Sequence, residues 1–588
     1  MATTYYVDSA TGSDSNAGTS ESAALQSMAA VEALKLSPGD TVLFARGTSY
    51  DSGLVVKYSG SADNPITFGA YGVGDAPVIG NSATGIYGSK TQNIVVQDLT
   101  IAHTTGNAIF ALNATNWTVA HVTVLDTGTT ATSGAISFEN GTNITIRDST
   151  ISGVTGDGIW IDGGKGIVIQ NNQIGTVVGH DADNIQVGNA SSVSILGNHL
   201  DMSGITDSTK GNLVVNTSEG VVIESNVMVG GSYGASVNSN DVTIAYNEIY
   251  GQSGYKWSFG IGIGETWSVK NYDIFSNSIH DVNFGVAVTG RGDYAVTRTN
   301  VDVHDNTFDN ISGAALKVDR PATGEFIDNE IGSNSPATRI SSDVAAAGTF
   351  AVGDNQTFDS TGPQAVADAV TAGGHAVAVA GSLLANDVGS GIVLSAFAGE
   401  AIGHGLEIAG KYGTVYVNED GTFSYVVNES AASGITKPTQ DIFSYLITEG
   451  DQQSEGHLTV NLASRLEVAP VGVNDRVDVA SDGTANGSVL GNDTDQNADV
   501  LYVRSVNGER VSGTSAVEVA GQYGTLTITA DGHFSYAVDP AKVVGSSDAL
   551  LHESFVYKIS DSIMQDTASL GVYIDPTSLV AHTNEAVI

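Results

Sequence analysis

From about residue 90 to 335 the chain repeats one short signature: an Asn, a variable residue, then an apolar residue. It occurs as Asn172-Gln173-Ile174, Asn198-His199-Leu200, Asn226-Val227-Met228, Asn247-Glu248-Ile249, Asn277-Ser278-Ile279, Asn306-Thr307-Phe308 and Asn329-Glu330-Ile331. The spacing runs from 247 − 226 = 21 to 277 − 247 = 30 residues. A unit of that length is one β-solenoid turn of three short strands. Asn side chains stacked at the ~4.8 Å strand spacing can hydrogen-bond from coil to coil. The Leu-x-x-Leu-x-Leu pattern of leucine-rich repeats does not occur in this block. An adhesin-type solenoid is the non-catalytic version of the same pattern.

Charge narrows the function. The formal net charge is −42, from 64 acidic and 22 basic residues. A phosphate backbone is repelled by such a field, so nucleic-acid binding is excluded as a function class. An anionic sugar polymer is repelled too, so a site for one must gather the few Lys and Arg or hold a cation. There is no Cys, and hence no disulfide. No run of about 18 apolar residues predicts a membrane span. The opening MATTYYVDSATGSDSNAG carries neither a basic n-region nor an apolar h-region. These features predict a monomer secreted from a bacterium by a leaderless type I route.

The first block contains Tyr5-Tyr6-Val7-Asp8, Gly12-Ser13-Asp14 and Pro38-Gly39-Asp40-Thr41-Val42, and resembles the opening of many β-helix polysaccharide-degrading enzymes. Leu25, Met28, Val31 and Leu34 recur at helical spacing and predict a short helix capping the solenoid. A β-helix catalytic domain is expected over 1–345, and an Ala-, Gly- and Ser-rich linker over 346–365. Two related modules follow over 366–466 and 467–588. One carries Asn386-Asp387, Tyr412-Gly413-Thr414, Asp420-Gly421, Phe423 and Tyr425, then Phe443 and Tyr445. The other carries Asn492-Asp493, Tyr523-Gly524-Thr525, Asp531-Gly532, Phe534 and Tyr536, then Phe555 and Tyr557. The offset is 523 − 412 = 111 residues. Alternating strands around an Asp-Gly turn predict β-sandwiches. The pattern resembles the cadherin-like, or VCBS, repeats of bacterial surface proteins. That resemblance implies spacing, docking, or binding of Ca²⁺ or glycan, with no catalytic role. The expected fold class is all-β: a right-handed parallel β-helix with an N-terminal capping helix, then two Ig/cadherin-like β-sandwiches.

Strand alternation predicts where chemistry sits. Aligning Asp157-Gly158-Ile159-Trp160-Ile161-Asp162 with the segments from Asp183, Gly211 and Gly234 turns Ile159, Ile185 and Leu213 inward. Trp160, Asp162, Asn184, Gln186, Asn212, Asn216, Ser236 and Asn238 are then expected on one outward face, where amides meet sugar hydroxyls and the indole stacks on a ring. The densest cluster is His180-Asp181-Ala182-Asp183, with Asp157 one coil before (181 − 157 = 24) and Lys210 one coil after. Three carboxylates on adjoining coils suit Ca²⁺, which takes oxygen ligands. A cation beside Lys210 favours the neutral amine that a base requires.

This layout resembles the family 9 polysaccharide lyases. The resemblance implies β-elimination of an acidic, uronate-containing polysaccharide, with Asp157, Asp181 and Asp183 holding Ca²⁺ and Lys210 as base. The family has a denser Asp cluster in the middle coil, where this chain has His180 and Ala182, and its Lys lies further along. His180 is therefore open as a base or substrate contact, and Lys256 as a rival base. Tyr255, Lys256, Trp257, Arg291, Lys317 and Arg320 on later coils are expected to line a cationic strip for a polyanion. Three further readings stay open: a glycoside hydrolase using two carboxylates among Asp162, Asp181 and Asp183, a uronate C5-epimerase, and a non-catalytic adhesin.

Overall fold

The structure is a computed structural model that describes residues 2–575, except 63, 129–133, 176, 180–181, 205–209, 254–257, 265–266, 290–295, 342–348, 359–361, 367, 373–378, 404, 433–434, 436–438, 463–469, 495–500, 512–515, 544–549 and 561–564. Its architecture follows from the repeat. Among the described residues each coil puts a long or split strand into a 21-stranded sheet and a short strand into a 13-stranded sheet, and the solenoid strands pair in parallel. The apolar residue of each signature, from Ile174 to Ile331, is buried in one continuous core.

Each signature Asn lies directly after a corner residue in the left-handed region: Asn171, Gly197, Ser225, Tyr246, Ser276, Asp305, Asp328 and Asp354 have φ between 52° and 60°. That corner turns the chain and points the next side chain inward. Each buried amide then donates its Nδ2 hydrogen to the Oδ1 of the Asn in the following coil. The ladder runs Asn172 to Asn198 (3.0 Å), Asn226 (2.9 Å), Asn247 (3.0 Å), Asn277 (2.9 Å), Asn306 (2.9 Å), Asn329 (3.0 Å) and Asn355 (2.9 Å). Every Oδ1 also accepts the backbone N–H of the Asn before it. Earlier coils put Ser149, Val122 and Leu99 at this position, so the polar ladder gives way to packing toward the N-terminus.

The capping helix spans Met28–Ala33, and Ser27 accepts the Ala30 N–H at 3.2 Å. It buries Met28 and Val31 against the first coils; Leu25 and Leu34 flank it and join the same core. At the other end the stack continues through Phe350–Gly353 and Gln356–Phe358, which pair with Ala322–Ile327 and Glu330–Gly332. The coils thus enter the stretch read as linker, because Asn355 adds a rung that its polar neighbours Gln356 and Thr357 hide in sequence.

Two sandwiches follow, each of a five-stranded and a four-stranded sheet. The Asp-Gly turns place Gly421 at φ 79° and Gly532 at φ 82°. In the first sandwich buried Asp441 accepts the N–H groups of Lys411 and Tyr412 (both 2.9 Å) and the Tyr425 hydroxyl (2.5 Å). Glu553 does the same in the second, with Gln522, Tyr523 and Tyr536. This shared acidic anchor explains the repeated Tyr-Gly-Thr motif. No described helix is long and apolar enough to cross a membrane.

Candidate active site

The segments from Ile159, Ile185, Leu213 and Ala235 pair in register through Asp162, Gly188, Asn216 and Asn238. The residue two places earlier in each coil therefore forms a row: Asp157, Asp183, Gly211 and Tyr233. Asp157, Asp183 and Gly211 sit at the corner before the long sheet, with Asp157 9% and Asp183 3% exposed, and Tyr233 opens its strand Tyr233–Ala245. Asp157 Oδ1 accepts the Asp183 N–H at 2.8 Å, and Asp183 Oδ1 accepts the Gly211 N–H at 2.9 Å. Both aspartates thus tie one coil to the next. Lys210, 8% exposed, immediately precedes Gly211 and so belongs to the same corner.

Tyr233 completes the row, and sequence reasoning missed it. Its hydroxyl donates to Asp183 Oδ1 at 2.8 Å, reaching back past the coil of Gly211. Only glycine leaves room: a Cβ on Gly211 would lie 2.1 Å from two ring carbons of Tyr233. The signal was present as a coil-to-coil register, 211 − 183 = 28 and 233 − 211 = 22 residues, with a glycine where its neighbours carry side chains. On the far side the Tyr233 ring stacks on Phe259 at 5.6 Å and 16°. Gly211→Ala is expected to displace Tyr233 and to cost about 1–3 kcal/mol, as overpacking of a filled site does. Thermal unfolding together with loss of the Tyr233 ring environment in NMR checks this; an unchanged spectrum would refute it.

Beside this corner, Trp160, Gln186, Val214 and Ser236 pair in one outward row of the long sheet. Trp160 and Gln186 are partly exposed there. Asp162 accepts the Asn189 amide at 2.7 Å, and Asn216 accepts the Asn238 amide at 2.9 Å, so a polar edge flanks the row.

Several expected contacts lie elsewhere. Asn184 and Asn212 are not on the outward face: both are 0% exposed. Asn184 donates to Asn212 Oδ1 at 3.1 Å, and Asn212 to the Gly230 carbonyl at 3.0 Å. Alternation fails because both lie in the corner ahead of the strand. Lys317 does not line an open strip either. It is 3% exposed, pairs with Asp319 at 2.7 Å and lies 4.6 Å above the Phe284 ring. Arg320 is partly buried near Arg298, whose pKa is lowered by burial and then by the Arg320 charge. Arg298 itself is a buried clamp, donating to the carbonyls of Gly264 (2.5 Å), Thr289 (2.9 Å) and Val296 (3.3 Å). His180, Asp181, Tyr255, Lys256, Trp257 and Arg291 fall outside the described residues. Among the described residues no three carboxylates or imidazoles stand close enough to hold a metal ion. Oδ1 of Asp157 and Oδ1 of Asp183 each accept an N–H group, and the third expected ligand, Asp181, falls outside the described residues.

Two family models match the chain. Residues 53–200 match the right-handed β-helix region, and residues 467–576 the bacterial cadherin-like domain. The calcium-binding lectin RapA2 of Rhizobium johnstonii is 29% identical over 198 residues, which is 31% of this chain and 83% of the lectin. A lacto-N-biosidase of Bifidobacterium longum is 48% identical over 94 residues, 15% of this chain and only 6% of that enzyme. An alginate lyase from a Paenibacillus strain aligns in structure over 56% of this chain and 97% of its own, with 14% identity and a TM-score of 0.34.

Proposed function

We propose that the chain is an extracellular polysaccharide lyase that cleaves a uronate-containing polymer by β-elimination at the corner of Asp157, Asp183, Lys210 and Tyr233. The observation that carries this reading is the Asp183–Tyr233 hydrogen bond built across Gly211 beside Lys210. An amine and a phenol brought to one edge of the partly open Trp160–Gln186 row suit elimination. Lys210 takes the C5 proton. The Tyr233 hydroxyl, turned to substrate, protonates the departing C4 oxygen, and a C4–C5 double bond remains. Asp183 positions the phenol, and Asp157 positions Asp183 through its N–H.

The test is incubation with alginate, polygalacturonate and a glucuronate-containing exopolysaccharide, following ultraviolet absorbance of the double bond and reducing ends together. Absorbance that disappears in Lys210→Ala supports the reading. Reducing ends without absorbance indicate a hydrolase, and C5 inversion without cleavage an epimerase. If Lys210→Ala stays fully active while Lys256→Ala does not, the base is Lys256.

A second reading, calcium-dependent carbohydrate binding by the sandwiches, has its own support. Asp368 Oδ2 and Asp387 Oδ2 are buried with no hydrogen-bond partner among the described residues. Burial raises both pKa values, and for Asp368 the Asp387 charge adds to it. The second sandwich repeats the cluster: burial raises Asp475 to about 6, the Tyr557 hydroxyl donates to it at 2.6 Å, and Asn492 Oδ1 is unpartnered. Orphaned carboxylate oxygens beside an amide fit Ca²⁺, which collects six to eight oxygens. Ca²⁺ is expected to raise the unfolding temperature of the sandwiches, and Asp387→Ala with Asp493→Ala to abolish the rise. In EDTA the folded-state pKa values lie above the unfolded ones, so folding takes up protons. Stability should then fall as pH climbs from the ordinary carboxylate range toward about 8. Calorimetry with and without Ca²⁺ checks both; identical curves would sink this reading.

A further inference from the structure

The first sandwich packs on the flank of the solenoid, and a cleft is left in the seam. Gln440 Nε2 bridges the two bodies, donating to Ser225 Oγ at 3.1 Å and to Asn461 Oδ1 at 2.8 Å. His457 of the sandwich meets the Tyr246 ring at 6.0 Å. Next to these contacts lies a cavity of about 250 Å³, lined by Asn171, Asn172, Gln173, Gly197 and His199 of two successive coils, and by Val370 and Asn461 of the sandwich.

Asn461 is the informative residue. It is 1% exposed, its oxygen is engaged by Gln440, and its Nδ2 is buried without a hydrogen-bond partner among the described residues. A buried amide donor left unmade costs about 1–3 kcal/mol. Its nitrogen sits over Gly197, where a Cβ would come within 2.7 Å of it. Gly197 is the glycine among the corner residues that precede the ladder Asn, so this corner alone is kept bare under the sandwich. The cleft therefore presents a fixed donor, the exposed amide of Gln173, the exposed imidazole of His199 and one apolar wall at Val370.

We propose that this seam is a second carbohydrate site, separate from the Asp183–Tyr233 corner, and that it takes a neutral pyranose unit. Among the described residues its lining offers amides and an imidazole but no carboxylate and no Lys or Arg. An anionic sugar would be desolvated there without a countercharge, against a chain of net charge −42. Hydroxyls meet these groups as donor and acceptor at once. The volume corresponds to roughly eight waters of liquid and lies just under the range for drug-sized ligands, which suits one ring of a longer chain. A sugar here touches both bodies, so binding also tightens the seam.

The probes are the methyl glycosides of glucose, galactose and mannose, with galacturonate as the anionic control, titrated by NMR and followed by thermal unfolding of the full chain. At least one neutral glycoside should shift the His199 ring resonances and raise the unfolding temperature. His199→Ala and Gln173→Ala, both exposed and outside the bridging contacts, should weaken binding by about tenfold. Asn461→Ala should do so more strongly, and because it could also loosen the seam, the two exposed variants decide. No binding by any neutral glycoside, equal binding by both exposed variants, or a preference for galacturonate each overturns the proposal. The readout is binding in this cleft, so it stands or falls independently of lyase activity.

Discussion

Asn277→Ala is expected to destabilise the solenoid by about 3–5 kcal/mol, and Asn277→Asp by at least as much. Asn277 is fully enclosed, and its Nδ2 donates to the Ile244 carbonyl (2.8 Å), the Phe275 carbonyl (3.0 Å) and Asn306 Oδ1 (2.9 Å). Its Oδ1 accepts both the N–H and the side-chain amide of Asn247, at 3.0 and 2.9 Å. Alanine removes these partners and leaves the Asn247 N–H without an acceptor. Aspartate keeps the shape but turns the donor into an anion facing two carbonyls and an amide oxygen. Calorimetry reads the loss, and hydrogen exchange at the Asn247 N–H localises it. A change under 1 kcal/mol for both variants would mean the ladder is ornament on a core that holds itself.

Tyr233→Phe and Asp183→Asn are expected to lower the turnover of a uronate polymer by about 10²–10⁴-fold, the usual contribution of a positioned proton-transfer group. Phe keeps the stack on Phe259 and loses only the hydroxyl. A positioning role for Asp183 predicts that its loss adds little once Tyr233 is already Phe, because groups that act as a unit are not additive. Steady-state kinetics on the two single variants and the double decides this. Full activity in Tyr233→Phe would remove the phenol from the reaction and require another group to protonate the departing C4 oxygen.

The solenoid was legible because its signature needs a buried Asn and a buried apolar residue at one corner of each coil from Asn172 onward. Where a coil keeps only half of that signature, as at Asn355-Gln356-Thr357, composition misleads and the last coil reads as linker. The geometry of the candidate corner was legible in part. Asp157, Asp183 and Lys210 do share a corner, since whole-coil spacing survives the folding. Asn184 and Asn212 were misplaced because strand alternation was carried across a corner where it does not apply. Lys317 was taken for a surface cation because an ion pair with Asp319 and burial over Phe284 leave no trace in spacing. Tyr233 went unseen because its role depends on what Gly211 lacks.

The Asn ladder has one more property, which is direction. From Asn172 to Asn329 every Nδ2 donates to the Oδ1 of the following rung, and from Asn198 to Asn355 every Oδ1 accepts from the preceding one. The amide dipoles therefore line up head to tail and polarise one another, as aligned peptide units do in a helix. Strands contribute little net dipole of this kind. The row behaves as a compass needle set inside the wall, its negative pole toward the N-terminal coils, where Ser149 closes it with a backbone N–H at 3.1 Å. Reversing a single amide would set two oxygens and two nitrogens face to face, so the needle holds or loses its polarity as a whole.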